Sequence, residues 1–142
     1  MFEHDYLGRM IKDFIDGILR NLQLVREKEN PLEAAHNIEQ LLENCTDIDG
    51  SILLSLEPIS LVNMLEVSNA DPKLCVYIAH SLKMESILLK KAEKTELSEL
   101  RMEQAKAVAK TYDVALDEIP VELNDSLAEE DTNLIEHNII NI

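Results

Sequence analysis

Asp71-Pro72-Lys73-Leu74-Cys75-Val76-Tyr77-Ile78-Ala79-His80-Ser81-Leu82 is the stretch that decides the fold class of this chain. An aspartate able to accept from free amide groups, followed by a proline whose φ suits a first helical turn, marks a helix start. No glycine or proline interrupts the segment from Lys73 to about Lys94, and its beginning, Leu74 to Ala79, is apolar on every side. A helix that is apolar all round has to be buried among other elements. This segment is therefore expected to be the central helix of a helical domain, with Ile78 and Leu82 in the core.

The flanking sequence is punctuated in the same way. Asn30-Pro31 with Glu33 repeats the cap and proline signal and adds a capping-box partner, so a helix opens there and carries Leu32, Ala35, Ile38, Leu41 or Leu42, and Cys45. Thr46-Asp47-Ile48-Asp49-Gly50 ends it, Ser51 to Leu56 makes a short helical turn, and Pro58 opens a compact helix with Ile59, Leu61, Val62 and Leu65 that stops at Ser68-Asn69. Upstream, Phe2, Tyr6, Met10, Phe14, Ile18, Leu22 and Val25 recur at helical spacing. Downstream, Leu97, Leu100, Val108, Tyr112, Ala115 and Ile119 define a last long helix from about Glu96, which Pro120 ends. No stretch alternates at period two for long enough to make a strand. The expectation is an all-α domain over residues 1–120, about six helices packed as hairpins in a bundle or short right-handed array.

Residues 121–142 are expected to form an acidic C-terminal tail with a short helix near its end. Leu134, Ile135, Ile139, Ile140 and Ile142 are too apolar for a purely solvating segment, and they are expected to dock on a groove of this subunit or of a second copy in a homodimer.

Composition narrows the function classes. The 142 residues carry 13 Lys and Arg against 28 Asp and Glu, a net charge of -15 that repels phosphate backbones and anionic lipid surfaces. Nucleic acid and membrane are therefore not expected partners. The opening residues lack a secretory signal, the longest apolar run is far shorter than the roughly 20 residues of a membrane span, and Cys45 and Cys75 make no Cys-x-x-Cys pair. A cytoplasmic location, with both cysteines as small buried hydrophobes, is the expectation. The charge is unevenly spread: residues 29–72 hold nine acids and no Lys or Arg, whereas residues 73–110 hold eight basic and five acidic groups. Either the solvated faces differ, or the acidic surface meets basic helices or a basic partner.

Motifs for chemistry are sparse. Glu33-Ala34-Ala35-His36 has the Glu-x-x-His spacing that puts two metal ligands on one helix face, but a di-metal bundle needs a second copy, and none is present. Glu33 and His36 remain the weak metal candidates, and no cofactor is expected. His80 reads as a structural histidine, His4 and His137 lie near the ends, and Cys45 has no nearby cation to activate it. Three isolated glycines cannot build a phosphate-binding loop.

The opening Phe2-Glu3-x-Asp5-Tyr6-Leu7-x-Arg9-Met10-Ile11-Lys12, together with Asp71-Pro72 before two long helices, resembles a family of small all-helical bacterial proteins of unknown function. The likeness covers roughly residues 1 to 120 and implies no functional residue. Val108, Tyr112, Ala115 and Pro120 are similar to the second helix of a tetratricopeptide repeat, which implies hairpin packing and a protein-binding groove. The function expected is a noncatalytic protein-interaction or regulatory module, acting through a charged or apolar groove. A small-molecule-binding helical domain and a metal-dependent enzyme using Glu33 and His36 are the alternatives.

Overall fold

The computed structural model describes residues 2–28 and 30–118. All regular structure among the described residues is helical, in six segments: α1 (Phe2–Lys28), α2 (Pro31–Thr46), α3 (Gly50–Ser55), α4 (Pro58–Val67), α5 (Pro72–Lys91) and α6 (Thr95–Tyr112). The protein is an all-α bundle, as its periodicity predicts. The expected tail, with its apolar residues and His137, lies outside the described residues.

Local chemistry sets the boundaries. The Asn30 side chain accepts from the Glu33 amide at 3.2 Å and donates to the Glu33 carboxylate at 3.0 Å, satisfying a free donor at the start of α2. Asp49 caps α3 through the amides of Ser51 and Ile52, and Asp71 accepts from the Lys73 amide at 2.8 Å to start α5. Four helices stop where a residue turns left-handed: Asp47, Asn69, Glu93 and Asp113 have φ of 60°, 59°, 64° and 56°. Three of these ends are closed by an amide reaching back five residues, from Ala70 to Leu65 O, Lys94 to Leu89 O and Val114 to Ala109 O.

The last closure corrects the expected end of α6. The helix stops at Tyr112 rather than running to Ile119. Beyond Asp113 the chain folds back so that Val114 and Leu116 pack on the core, and Lys83 Nζ donates to the Leu116 carbonyl at 2.7 Å. Likewise α5 stops at Lys91 instead of Lys94, because Glu93 takes the left-handed turn.

Helix α5 is the centre. It shares its largest interface with α6, faces α2 and α1 on its other sides, and α4 packs on α6. Ile78 and Leu82 are fully buried with Phe14, Ile18, Ile38, Leu42, Leu61, Leu65 and Leu88, and the Phe14 and Tyr77 rings meet at 6.4 Å between centroids. Gly17 lets α1 approach α2: a Cβ there would lie 2.5 Å from a Leu41 methyl.

Leu32, Ile59 and Leu97, expected in the core, are exposed. On α4 the inner face is Leu61, Val62 and Leu65, and Ile59 sits two positions away from Leu61, nearly opposite on the helix. On α6 the buried face is Ser98, Arg101, Gln104, Ala105, Val108 and Ala109. Its register is set by polar side chains that a hydropathy pattern passes over. Among the described residues, no helix is long and apolar enough to cross a membrane.

Candidate functional site

Eight of the nine buried polar side chains among the described residues lie on α5 and α6, the exception being Asn21 on α1. Each of the eight desolvated groups costs free energy unless it is partnered; Ser81 Oγ has no hydrogen-bond partner, and the bonds made by Glu85, Ser86, Ser98, Arg101 and Gln104 mark the candidate site. Ser86 Oγ donates to the Ser98 carbonyl at 2.6 Å and Ser98 Oγ to the Ser86 carbonyl at 2.7 Å, a reciprocal pair that ties α5 to α6.

One turn further along, Arg101 joins four elements. Its Nε donates to Glu85 Oε1 on α5 at 2.9 Å, and its Nη2 lies 3.5 Å from Glu39 Oε1 on α2. Its Nη1 donates to the Leu54 carbonyl of α3 at 2.7 Å and to Gln104 Oε1 at 3.2 Å. Gln104 Nε2 in turn donates to the carbonyls of Leu54 at 3.1 Å and Leu56 at 2.8 Å. These are the carbonyls left free where α3 ends, and they have no helical partner of their own. Arg101 and Gln104 thereby fix the α3–α4 connection onto α6.

Glu85 is fully buried; its Oε2 accepts from no donor, and its carboxyl lies within hydrogen-bonding reach of Glu39. Burial outweighs the attraction of Arg101 and, helped by the neighbouring Glu39, pushes the Glu85 carboxyl up to about 8. A shift in this direction favours the protonated form of Glu85, in which cationic Arg101 faces the half-buried carboxylate of Glu39.

A second polar group lies elsewhere on α5. His80 is buried, and burial together with the Lys83 charge pushes it down to about 4, so it is neutral at pH 7. Lys83 is also lowered by burial, with Asp117 opposing the fall. Burial pushes Cys45 up to about 12 and raises Cys75, which lies against Tyr112. Both thiols stay protonated and weakly nucleophilic. Cys75 is buried as expected, whereas Cys45 is only half-buried, at the edge of a depression of about 540 Å³ with Met10, Asn44, Asn69 and Asp71.

Glu33 and His36 do not converge. Glu33 serves the α2 cap through Asn30, and His36 points its Nδ1 to Glu39 Oε2 at 3.6 Å with most of its side chain in solvent. Among the described residues no group of three or more His, Cys, Asp or Glu could hold a metal ion.

Hydropathy reading missed Arg101, Gln104 and Glu85. A signal existed: Ser98, Arg101, Ala105 and Val108 follow one another at the three- and four-residue spacing of a single helix face, so a face buried through Ala105 and Val108 carries Arg101 inward as well. Comparison of the chain with protein-family models, curated proteins and solved structures gives no match in any of the three.

Proposed function

We propose that this protein is a noncatalytic helical interaction module that docks a basic, apolar protein segment along α3 and α4. The carrying observation is the exposure of large apolar side chains there: Ile59 is 75% and Val67 84% exposed on α4, and Ile52 is exposed on α3. Ile59, Asn63 and Val67 are spaced four residues apart and share the outer face of α4. Covering one such side chain contributes roughly 1.5 to 3 kcal/mol before ordering costs.

The charge around this face supports the choice of partner. Glu57, Glu66 and Asp71 are exposed on the same stretch of chain, and residues 29–72 contain no Lys or Arg. An acidic rim around apolar side chains favours a partner with basic residues flanking its apolar anchors and speeds their encounter. The buried Arg101, Gln104 and Glu85 fit this reading as the scaffold that holds the α3–α4 connection in place.

The test is capture from native cell lysate at low and high salt, comparing the wild-type chain with an Ile59→Glu/Val67→Glu double variant. Expected is a captured protein that is lost with the variant and weakened by salt, and that binds again as a purified component. A set of captured proteins indifferent to both changes would overturn the assignment of this face.

A further inference from the structure

We propose that Glu85 is the proton-holding member of a switch: its ionisation moves Arg101 Nη2 from Glu39 to Glu85 and frees the Glu39 carboxylate at the surface beside α3.

The argument begins with the shape of the guanidinium. Nε–H and one Nη2–H lie along the same edge, and an ionised carboxylate takes both in a bidentate pair. Here that edge is divided. Nε goes to Glu85 Oε1 at 2.9 Å while Nη2 turns to the more distant Glu39 Oε1 at 3.5 Å; Glu85 Oε2 accepts from no donor, and the Glu85 carboxyl lies within hydrogen-bonding reach of Glu39, to which its hydroxyl can donate. A carboxylic acid explains the division, because its hydroxyl oxygen is a poor acceptor and only the carbonyl oxygen competes for the fork. The charge count agrees: one guanidinium balances one carboxylate, and a second buried carboxylate would stand uncompensated.

The groups facing Glu85 are few. Arg101 from α6 and Glu39 from α2 are the charged ones that act on it, Gln104 and the Leu54 carbonyl complete the cluster, and His36 stands beyond Glu39 at the surface. On its own helix, His80 and Lys83 interact with each other instead, and Lys83 is held by the Leu116 carbonyl.

Once the proton leaves, Oε2 becomes the better acceptor for Nη2. Two carboxylates then compete for one cation, and the one that yields is the one with water to go to. Glu39 is 28% exposed and Glu85 is fully buried, so releasing Glu39 costs less than leaving Glu85 unpaired. Nη1 and Gln104 keep their hold on Leu54 and Leu56, so the α3–α4 connection stays fixed while Glu39 lets go. Glu39 borders a depression of about 360 Å³ with His36, Glu43, Asp49 and Ser51, against the first residue of α3. Its release adds a free carboxylate at the start of α3, one of the two helices of the proposed docking face. This consequence rests on the proposed docking of a basic partner there, which would bind more tightly above the switching pH.

The switch itself is read without a partner. Carboxyl-carbon NMR titration of the full chain, with Glu39 and Glu85 assigned by through-bond correlation in the wild-type chain, should show the Glu85 signal titrating with a midpoint near 8. The Glu39 signal should show an inflection at that same pH, and this inflection should vanish in Glu85→Gln. A Glu85 signal that titrates below pH 5.5, or a Glu39 signal that does not respond at the Glu85 midpoint, overturns the proposal. Both decisive signals come from the wild-type chain, so the proposal remains testable if the Gln variant does not fold. Capture experiments bear on the docking face alone, and their failure leaves these signals unaffected.

Discussion

Replacing Glu85 by Gln should remove a loss of stability that the wild-type chain suffers on going from mildly acidic to alkaline pH. The folded state raises this carboxyl from 4.5 to about 8, so it binds the proton more tightly than the unfolded chain does. A group of that kind gives its full stabilisation below pH 4.5 and loses it as pH climbs to about 8. At 1.36 kcal/mol per unit the whole loss is on the order of 5 kcal/mol.

His80 works in the opposite direction. Its folded value falls from 6.5 to about 4, so its contribution is present above pH 6.5 and is lost as pH falls toward 4, on the order of 3 kcal/mol in all. Between pH 4.5 and 6.5 the two slopes oppose each other, and the wild-type profile should be nearly level there. From pH 6.5 to 8 only the Glu85 slope remains, with a fall of about 2 kcal/mol. Gln keeps an oxygen for Arg101 Nε and places an amide donor where Oε2 stands, toward Glu39. The variant should therefore match the wild type within about 1 kcal/mol near pH 5 and exceed it by several kcal/mol at pH 8.5. Urea unfolding of both chains at half-unit steps from pH 5 to 8.5 measures the difference directly, with contributions from unaltered groups cancelling. A difference that stays constant within error across that range would refute the protonated, buried Glu85.

Three further outcomes follow from named contacts. Arg101→Met should destabilise the fold by roughly 3 to 5 kcal/mol, because it strips Glu85, Glu39 and the Leu54 carbonyl of a donor; equilibrium unfolding at pH 7 measures this. Ile78→Ala and Leu82→Ala should each cost about 2 to 5 kcal/mol, since both side chains are buried on α5 and leave cavities; unchanged denaturant midpoints would mean that the core is misplaced. Asn30→Ala and Asp71→Ala should each cost about 1 kcal/mol in thermal or chemical unfolding, as each removes an acceptor from the first turn of a helix, at α2 and α5 respectively.

The order of the helices was legible from sequence because it depends on local chemistry. Asn30-Pro31 and Asp71-Pro72 carry their cap and first-turn signals within two residues, and the unbroken apolar surface from Leu74 to Ala79 has no stable place except the interior. Ile78 and Leu82 were legible for the same reason. The helix ends were less so: α6 stops at Tyr112, before the left-handed Asp113, because the chain after it gains more by packing Val114 and Leu116 on the core, with Lys83 holding the Leu116 carbonyl, than by continuing the helix. That gain belongs to residues about thirty positions apart, and no local pattern contains it.

Of the candidate site the sequence carried one signal, the spacing of Ser98, Arg101, Ala105 and Val108 on a single face of α6. Hydropathy assigns Arg101, Gln104 and Glu85 to solvent, because each is costly to bury alone. They become affordable inside only when α2, α3, α5 and α6 bring their donors and acceptors together. By itself the sequence determined the all-α class, the helix starts and the central apolar helix, since these follow from backbone capping and from the period of one segment. Only the tertiary structure decided which face of α6 turned inward and which carboxyl kept its proton. A buried polar group is stabilised by partners distant in the chain, and their positions exist only once the helices have packed.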